Sequence, residues 1–344
     1  MNIDKLILEY LKYNQDSSST NILEGINSGK SLATVKRILT LLIDNKLVVS
    51  AGKGKATKYK LSQNFKLFEK IDIDNYYLKE IDEREILENF NLSIISNILL
   101  NTDLLTSSES SILEELQAEY NNNISGLSKN EYNKELERLA IDLSWKSSQI
   151  EGNTYSLLET ERLIKEKEIA EGKSKEEATM LLNHKEALDF IIDNPDYLFP
   201  LTLSKIEDIH SILIKDLGID RNIRKRRVGI SGTNYKPLDN EFQIKEALTN
   251  MCNLINKKEN VFEQSLLALI LISYIQPFSD GNKRTARIVS NAILINRKHC
   301  PISFRTVDSV DYKKAMLLFY EQNNITVFKQ VFIEQFEFAV KTYF

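Results

Sequence analysis

The chain has 344 residues, more than one compact core usually takes, which predicts two or more domains. Glycine (11) and proline (5) are scarce over that length, so a mainly helical chain is expected. A net charge of −4 gives no reason to expect whole-molecule attraction to nucleic acid or a membrane surface, and leaves local patches to be judged separately. Two cysteines, Cys252 and Cys300, exclude a disulfide framework. The three histidines, His184, His210 and His299, form no spacing suited to structural zinc. The N-terminal stretch carries acids within its apolar run, and the longest apolar run, Leu266 to Ile275, is too short for a bilayer. A cytoplasmic protein without a membrane partner is the expectation.

Residues 1–64 read as one unit. Leu6, Ile7, Tyr10 and Leu11 make the apolar face of a first helix. Ser18 to Thr20 cap a short second helix, Asn21 to Ile26, which Asn27-Ser28-Gly29 breaks. Ser31 caps a third, with Leu32, Val35, Ile38, Leu39 and Leu42 facing inward. Two strands, Leu47 to Ala51 and Thr57 to Leu61, flank the turn Gly52-Lys53-Gly54-Lys55. Three helices and a basic hairpin in this order resemble a winged helix-turn-helix domain. Between Lys30 and Lys60 stand eight Lys or Arg against one acid, Asp44. Ser31, Thr34, Lys36 and Arg37 would open a recognition helix, with Lys53, Lys55 and Lys58 on the wing, a face suited to DNA phosphates. A protein-contact or dimerisation module with a solvated lysine face fits the same pattern.

Residues 65–130 are acidic and helical in pattern and carry no evident chemistry; a linking region that packs on the C-terminal domain is expected. Residues 131–344 read as one helical domain, with a short hairpin over Arg227 to Lys236, where Val228 and Ile230 alternate before Gly232.

The densest local signal is QPFSDGNKRTAR, Gln276 to Arg287. An apolar helix runs into Pro277, turn residues Ser279 to Asn282 come next, and a new helix begins near Arg284. A helix start behind a Gly/Asn turn offers backbone N–H groups to an anion. Arg284 and Arg287, three apart, project to one side, and Asp280 beside them suits Mg²⁺. The same residue types also suit an ordinary capped helix with surface ion pairs.

This segment resembles the phosphate loop of the Fic (Fic/Doc) family, whose pattern is H-x-F-x-[DE]-G-N-G-R-x-x-R, with six of the eight specified positions matched in register. The resemblance implies a helical Fic core, with Mg²⁺ on Asp280 and ATP phosphates on Gly281, Asn282, Lys283, Arg284 and Arg287. Phe278 would anchor the loop in the core. Ser147 to Asn153 is similar to the family's inhibitory motif, [ST]-x-x-x-E-[GN], carried by Ser147, Glu151 and Gly152 on a helix over about 140–153. It implies that Glu151 pairs with Arg287 and blocks the γ-phosphate. The hairpin residues Val228, Gly229, Ile230, Ser231 and Gly232 would be the flap that aligns a target segment by strand addition.

Two positions depart from the pattern. Gln276 stands where the family has the histidine that takes the target hydroxyl's proton, and a carboxamide has no basic site near neutral pH. His210, among apolar helix positions, reads as structural. Lys283 replaces a glycine and is similar to the Doc branch, which transfers phosphate. Three functions are expected from these features: an autoinhibited protein adenylyltransferase with weakened or lost chemistry, a nucleotide-sensing DNA-binding regulator, and a Doc-like phosphotransferase. The partners are then ATP, a target protein the sequence does not name and, through the winged helix, DNA; self-association stays open.

Overall fold

The structure is a computed structural model describing residues 3–344, the Lys55 side chain excepted. It is mainly helical, with a two-stranded antiparallel ladder. At the N-terminus α1 (Ile3–Tyr13), α2 (Ser19–Ile26) and α3 (Leu32–Asp44) pack through Ile7, Leu11, Ile22, Ile26, Val35, Leu39 and Leu42. Ser18 accepts from the Asn21 amide and Ser31 from the Thr34 amide, so each short helix has a first-turn N–H satisfied. Gly25 lets α1 and α2 approach: a Cβ there would lie 2.0 Å from the Tyr10 ring. β1 (Val48–Ala51) pairs with β2 (Lys58–Leu61) in the register Val48 to Leu61 and Ala51 to Lys58. Each strand starts one residue later than the sequence pattern suggests, because Leu47 and Thr57 close turns with Leu42 and Gly54.

The next segment is fastened to the rest of the chain at several points. It holds α4 (Phe65–Phe68), α5 (Ile73–Tyr77), a π-helical turn over Ile94–Leu99 and α6 (Ser107–Ser125). The Ile325 amide donates to the Leu67 carbonyl, and Asn324 donates to the carbonyls of Lys66 and Glu69. The buried carboxylate of Glu263 accepts from the amides of Leu104 and Leu105 and pairs with Lys258 at 3.0 Å. The apolar core runs without a break from Ile7 to Tyr343.

The remaining helices are α7 (Lys129–Ile150), α8 (Leu157–Glu166), α9 (Lys175–Asp193), α10 (Leu203–Leu213), α11 (Glu241–Lys257), α12 (Val261–Ile275), α13 (Asn282–Asn296), α14 (Ser309–Gln322) and α15 (Thr326–Tyr343). α12 is apolar all round and buried all round, as a central helix must be. It packs along α13, with α11 and α14 on its other sides, while α9 and α10 cover α13. α13 begins at Asn282, two residues before Arg284. Ile288 and Ile293 are fully buried, and Ile295 only partly.

The expected hairpin at 227–236 is replaced by an open loop. Ser231 and Gly232 make the turn, but among the described residues no ladder forms across it. Its returning limb is engaged elsewhere: the Lys236 amide donates to the Glu88 carbonyl, and Asn89 bridges Lys236 in parallel. Val228 and Ile230 alone supply too little cross-strand packing to hold two limbs together.

Glu263 joins the linking segment to the first turn of α12, so its loss strands two buried amides and a lysine. Glu263→Ala is expected to lower the unfolding free energy by about 3 kcal/mol, with Glu263→Gln losing less. Urea titration checks this, and an unchanged midpoint for the alanine variant would refute it.

Candidate nucleotide site

α12 stops at Gln276, which adopts a left-handed conformation (φ 51°, ψ 59°). Its backbone N–H still donates to Ile272, and its carbonyl accepts from the Arg224 Nε at 2.6 Å. The Gln276 side chain turns into the loop. Nε2 donates to the Ser273 carbonyl at 2.7 Å, and Oε1 accepts from Asn282 Nδ2 at 2.9 Å. Asn282 also donates to the Phe278 carbonyl and accepts from the Phe278 amide at 2.8 Å. The Asn282 side chain is therefore occupied with shaping the loop, and what it offers a phosphate is its backbone N–H at the start of α13. Gly281 supplies the positive φ, 79°, that turns the chain into that helix.

His210 supports the loop from α10. Its ring stacks on Phe278 at 3.6 Å with 3° between planes, and Nε2 lies 3.0 Å from the Asp280 carbonyl. Burial brings its pKa down to about 4, so the neutral ring donates to that carbonyl. The structural role read from the sequence matches this placement.

Behind the loop two cations meet one carboxylate. Arg287, fully buried, donates Nε to Ser147 Oγ at 2.8 Å and Nη2 to the Ser147 carbonyl at 3.0 Å. Nη2 also reaches Glu151 Oε1 at 2.7 Å. Lys283 Nζ holds the other oxygen of Glu151 at 3.1 Å. The Tyr312 ring lies 5.3 Å from the Arg287 guanidinium. Glu151 caps the C-terminus of α7, and Gly152 (φ 102°) turns the chain away there, so a helix stop and a salt-bridging carboxylate coincide. Burial pushes the Glu151 carboxyl up, but Arg287 and then Lys283 outweigh it and bring it down to about 2. Arg284, also buried, pairs with Asp280 at 3.1 Å. Its Nε and Nη1, and Nη1 of Arg287, have no partner among the described residues. Buried N–H donors of this kind are costly unless an anion takes them.

A cleft of about 360 Å³ opens in front of these groups. It is lined by Gln276 and Ser279 to Lys283, by Glu151, by Val228 to Ser231, and by one face of α14. That face, Lys313, Met316, Leu317 and Tyr320, follows helical spacing. The sequence reading missed it because the spacing looks like any buried helix stripe. It also missed the braces of the 228–232 loop. Arg84 from the linking segment donates to the Gly232 carbonyl at 3.0 Å and pairs with the buried Glu321 at 3.1 Å, while Asn234 meets Asp82. Nothing in the local sequence around Arg84 signals this. His184 is a further omission. Its buried ring has neither nitrogen partnered, and burial, then Arg287 and Arg284, hold its pKa well down. Of the basic residues expected on an N-terminal face, Lys36, Arg37, Lys53 and Lys58 lie outside this cleft, and the Lys55 side chain lies outside the described residues.

The donor set fits a nucleotide phosphate with its ion. Asp280 is 63% exposed and only one of its oxygens is engaged. No group of three or more His, Cys, Asp or Glu is gathered for a metal among the described residues. A lone carboxylate beside phosphate-binding arginines matches the way Mg²⁺ is usually held, by one or two carboxylates plus substrate oxygens.

Comparison with known proteins agrees with this geometry. The protein has a helical Fic fold: it superposes on a Fic-1 fragment from C. elegans with a TM-score of 0.60 at 18% identity, over 69% of this chain and 72% of that one. A Fic domain containing signaling protein from Bacteroides thetaiotaomicron superposes with a TM-score of 0.57 at 19% identity, over 67% of this chain and 94% of that one. Residues 200–294 match the model of the Fic/DOC family. It is 31% identical over 172 residues to the protein adenylyltransferase Fic of Nematostella vectensis, covering 48% of this chain and 40% of that protein. It is 26% identical over 162 residues to the protein of the same name from Aedes aegypti, covering 44% and 32%. The matched region thus spans less than half the length of these curated relatives.

Because the Glu151 carboxyl sits at about 2 in the folded chain against an ordinary 4.5, its contribution to stability is complete above 4.5 and is lost as pH falls from there toward 2. The melting-temperature gap between wild type and Glu151→Gln should therefore stay constant from about pH 5 to about pH 8 and narrow below. Differential scanning calorimetry across that range checks it; a gap that shrinks near neutral pH would contradict the assignment.

Proposed function

We propose that the chain binds ATP in this cleft and transfers AMP to a hydroxyl of a target protein, and that Glu151 keeps the resting site closed to the terminal phosphate. The observation that carries this reading is the Glu151 carboxylate seated between Arg287 and Lys283, two cations that would otherwise face phosphate. The backbone N–H groups of Gly281 and Asn282 would hold inner phosphate oxygens at the start of α13. Arg284 and Arg287 would gather the outer ones, and Asp280 would hold the Mg²⁺ that screens them. The open backbone of Val228 to Ser231 is available to pair with an extended target segment.

In the transfer, the target oxygen bonds to the α-phosphorus and the bond to the bridging oxygen of the β-phosphate breaks. The charge on departing pyrophosphate falls to the arginines. The hydroxyl proton has no acceptor in Gln276, so it leaves to water, and the step should run roughly 10²- to 10⁴-fold slower than with a positioned base. The engagement of both ends of the Gln276 carboxamide within the loop favours a second reading, a nucleotide sensor that does not transfer. Phosphate transfer would need Lys283 on the nucleotide, and here that amine is taken by Glu151.

Calorimetric titration with Mg–ATP should show Glu151→Gly binding at least about tenfold tighter than wild type, since a competing carboxylate is gone. With α-labelled ATP and lysate, adding Gln276→His to Glu151→Gly should raise protein labelling by roughly 10²- to 10⁴-fold. Equal ATP affinity in both proteins would sink the closed-site reading. Tight ATP binding with no label transfer even in the histidine variant would leave the sensor. Label from γ-labelled ATP alone would indicate phosphate transfer.

A further inference from the structure

ATP binding and AMP transfer make no use of the N-terminal unit, and the charge there is opposite to that of the chain. The stretch from Lys30 to Lys60 holds eight Lys or Arg and one acid in a protein of net charge −4. The structure sorts this charge onto exposed surface. α3 turns Val35, Leu39 and Leu42 inward, and Ala33, Lys36, Arg37 and Thr40 outward, at the spacing of one helix face. β2 places Lys58 and Lys60, two apart, on its exposed side, opposite Ala51 and Val49 of β1. Lys53 stands exposed on the turn between the strands. None of Lys30, Lys36, Arg37, Lys53, Lys58 and Lys60 has an ion-pair partner among the described residues. The single acid, Asp44, sits at the far end of α3 and accepts from Ser107 of α6. Lys46, which is paired, meets Asp103 on that side too.

The backbone arrangement has the shape that a duplex groove accepts. α2 and α3 are joined by a short turn with Asn27 (φ 42°) and Gly29 (φ 66°), and α3 spans about 20 Å, enough to lie in a major groove. Ser31 caps α3 at the end that carries Ala33, Lys36 and Arg37, the end that helix-turn-helix proteins point at base edges. We propose that the N-terminal unit binds double-stranded DNA, with the Ala33–Lys36–Arg37–Thr40 face of α3 in the major groove and the β1–β2 ladder on the flanking phosphates. Arg37 carries the donor fork that reads guanine, while Ala33 and Thr40 are short enough to let the helix seat deeply. The cations of the turn and ladder then supply affinity without sequence choice.

The test uses the full chain and a labelled duplex of about 30 base pairs of arbitrary sequence, followed by fluorescence anisotropy, since phosphate contacts alone give measurable binding at low salt. With about six phosphate contacts, affinity should fall roughly a thousandfold between about 50 and 200 mM salt. Lys36→Glu with Arg37→Glu, and Lys58→Glu with Lys60→Glu, should each weaken binding by at least about tenfold. The control pair Arg162→Glu with Lys165→Glu, of equal charge change on the exposed face of α8, should leave it within about twofold. All the altered side chains are exposed, and an unchanged circular dichroism spectrum and melting temperature show that each variant folds. No anisotropy change at low salt, an equal loss in the control, or equally tight binding of a polyglutamate peptide would overturn the proposal. The last result would assign the face to an acidic protein partner.

Discussion

A guanidinium with no exposed surface must be met by hydrogen-bond acceptors or an anion, and Arg287 sets that requirement at the centre of this fold. Its partners come from far apart in the chain: the Ser147 hydroxyl and carbonyl and the Glu151 carboxylate from α7, and the Tyr312 ring from α14. Removing a charge from water costs several kcal/mol, and only a well-placed carboxylate or phosphate repays that. The end of α7 is therefore held against α13 by the need of one side chain. Any anion that enters the cleft competes with Glu151 for the same donor. Lys283 makes that competition harder here than a glycine would, because it grips the second carboxylate oxygen.

The loop in front of Arg287 is stiffened by a different device. Asn282 bonds both the amide and the carbonyl of Phe278, closing a small ring of hydrogen bonds at the turn into α13. Phe278 is buried beneath it and stacked on the His210 ring. His210 in turn meets the Asp280 carbonyl, so the backbone of the turn is fixed from both sides. His210 is thus committed to the loop's shape and, kept neutral by burial, is poorly placed to take up a proton elsewhere.

Much of this was legible in the sequence where the physics is local. The caps at Ser18 and Ser31, the break at Gln276-Pro277 and the Gly281-Asn282 turn each depend on residues within a few positions, and each is present. The Glu151–Arg287 pair was expected because two segments, 136 positions apart, each resemble a motif of one family, and the structure brings the two side chains to 2.7 Å. What local pattern could not reveal was the company each element keeps. Residues 65–130 read as an inert connection, yet Arg84 braces the 228–232 loop and Leu104 and Leu105 lean on Glu263. The hairpin at 227–236 had the alternation of a strand pair, but its returning limb bonds to Glu88. Tertiary partners decided both, and alternation over so few residues is a weak signal against them.

Gln276 joins these two regimes. A residue with a Cβ in left-handed geometry costs about 1 to 2 kcal/mol, and the strain persists because the surroundings over-determine it. The backbone bonds to Ile272 and Arg224 hold the conformation whatever the side chain. The side chain adds two further bonds, to Ser273 and Asn282. A carboxamide can accept from Asn282 and donate to Ser273 at once, without titrating, which a neutral imidazole does only in one tautomer and loses on taking a proton. Glutamine at this position therefore favours a rigid loop over a proton acceptor. The same network that keeps the loop in shape occupies both ends of the Gln276 carboxamide.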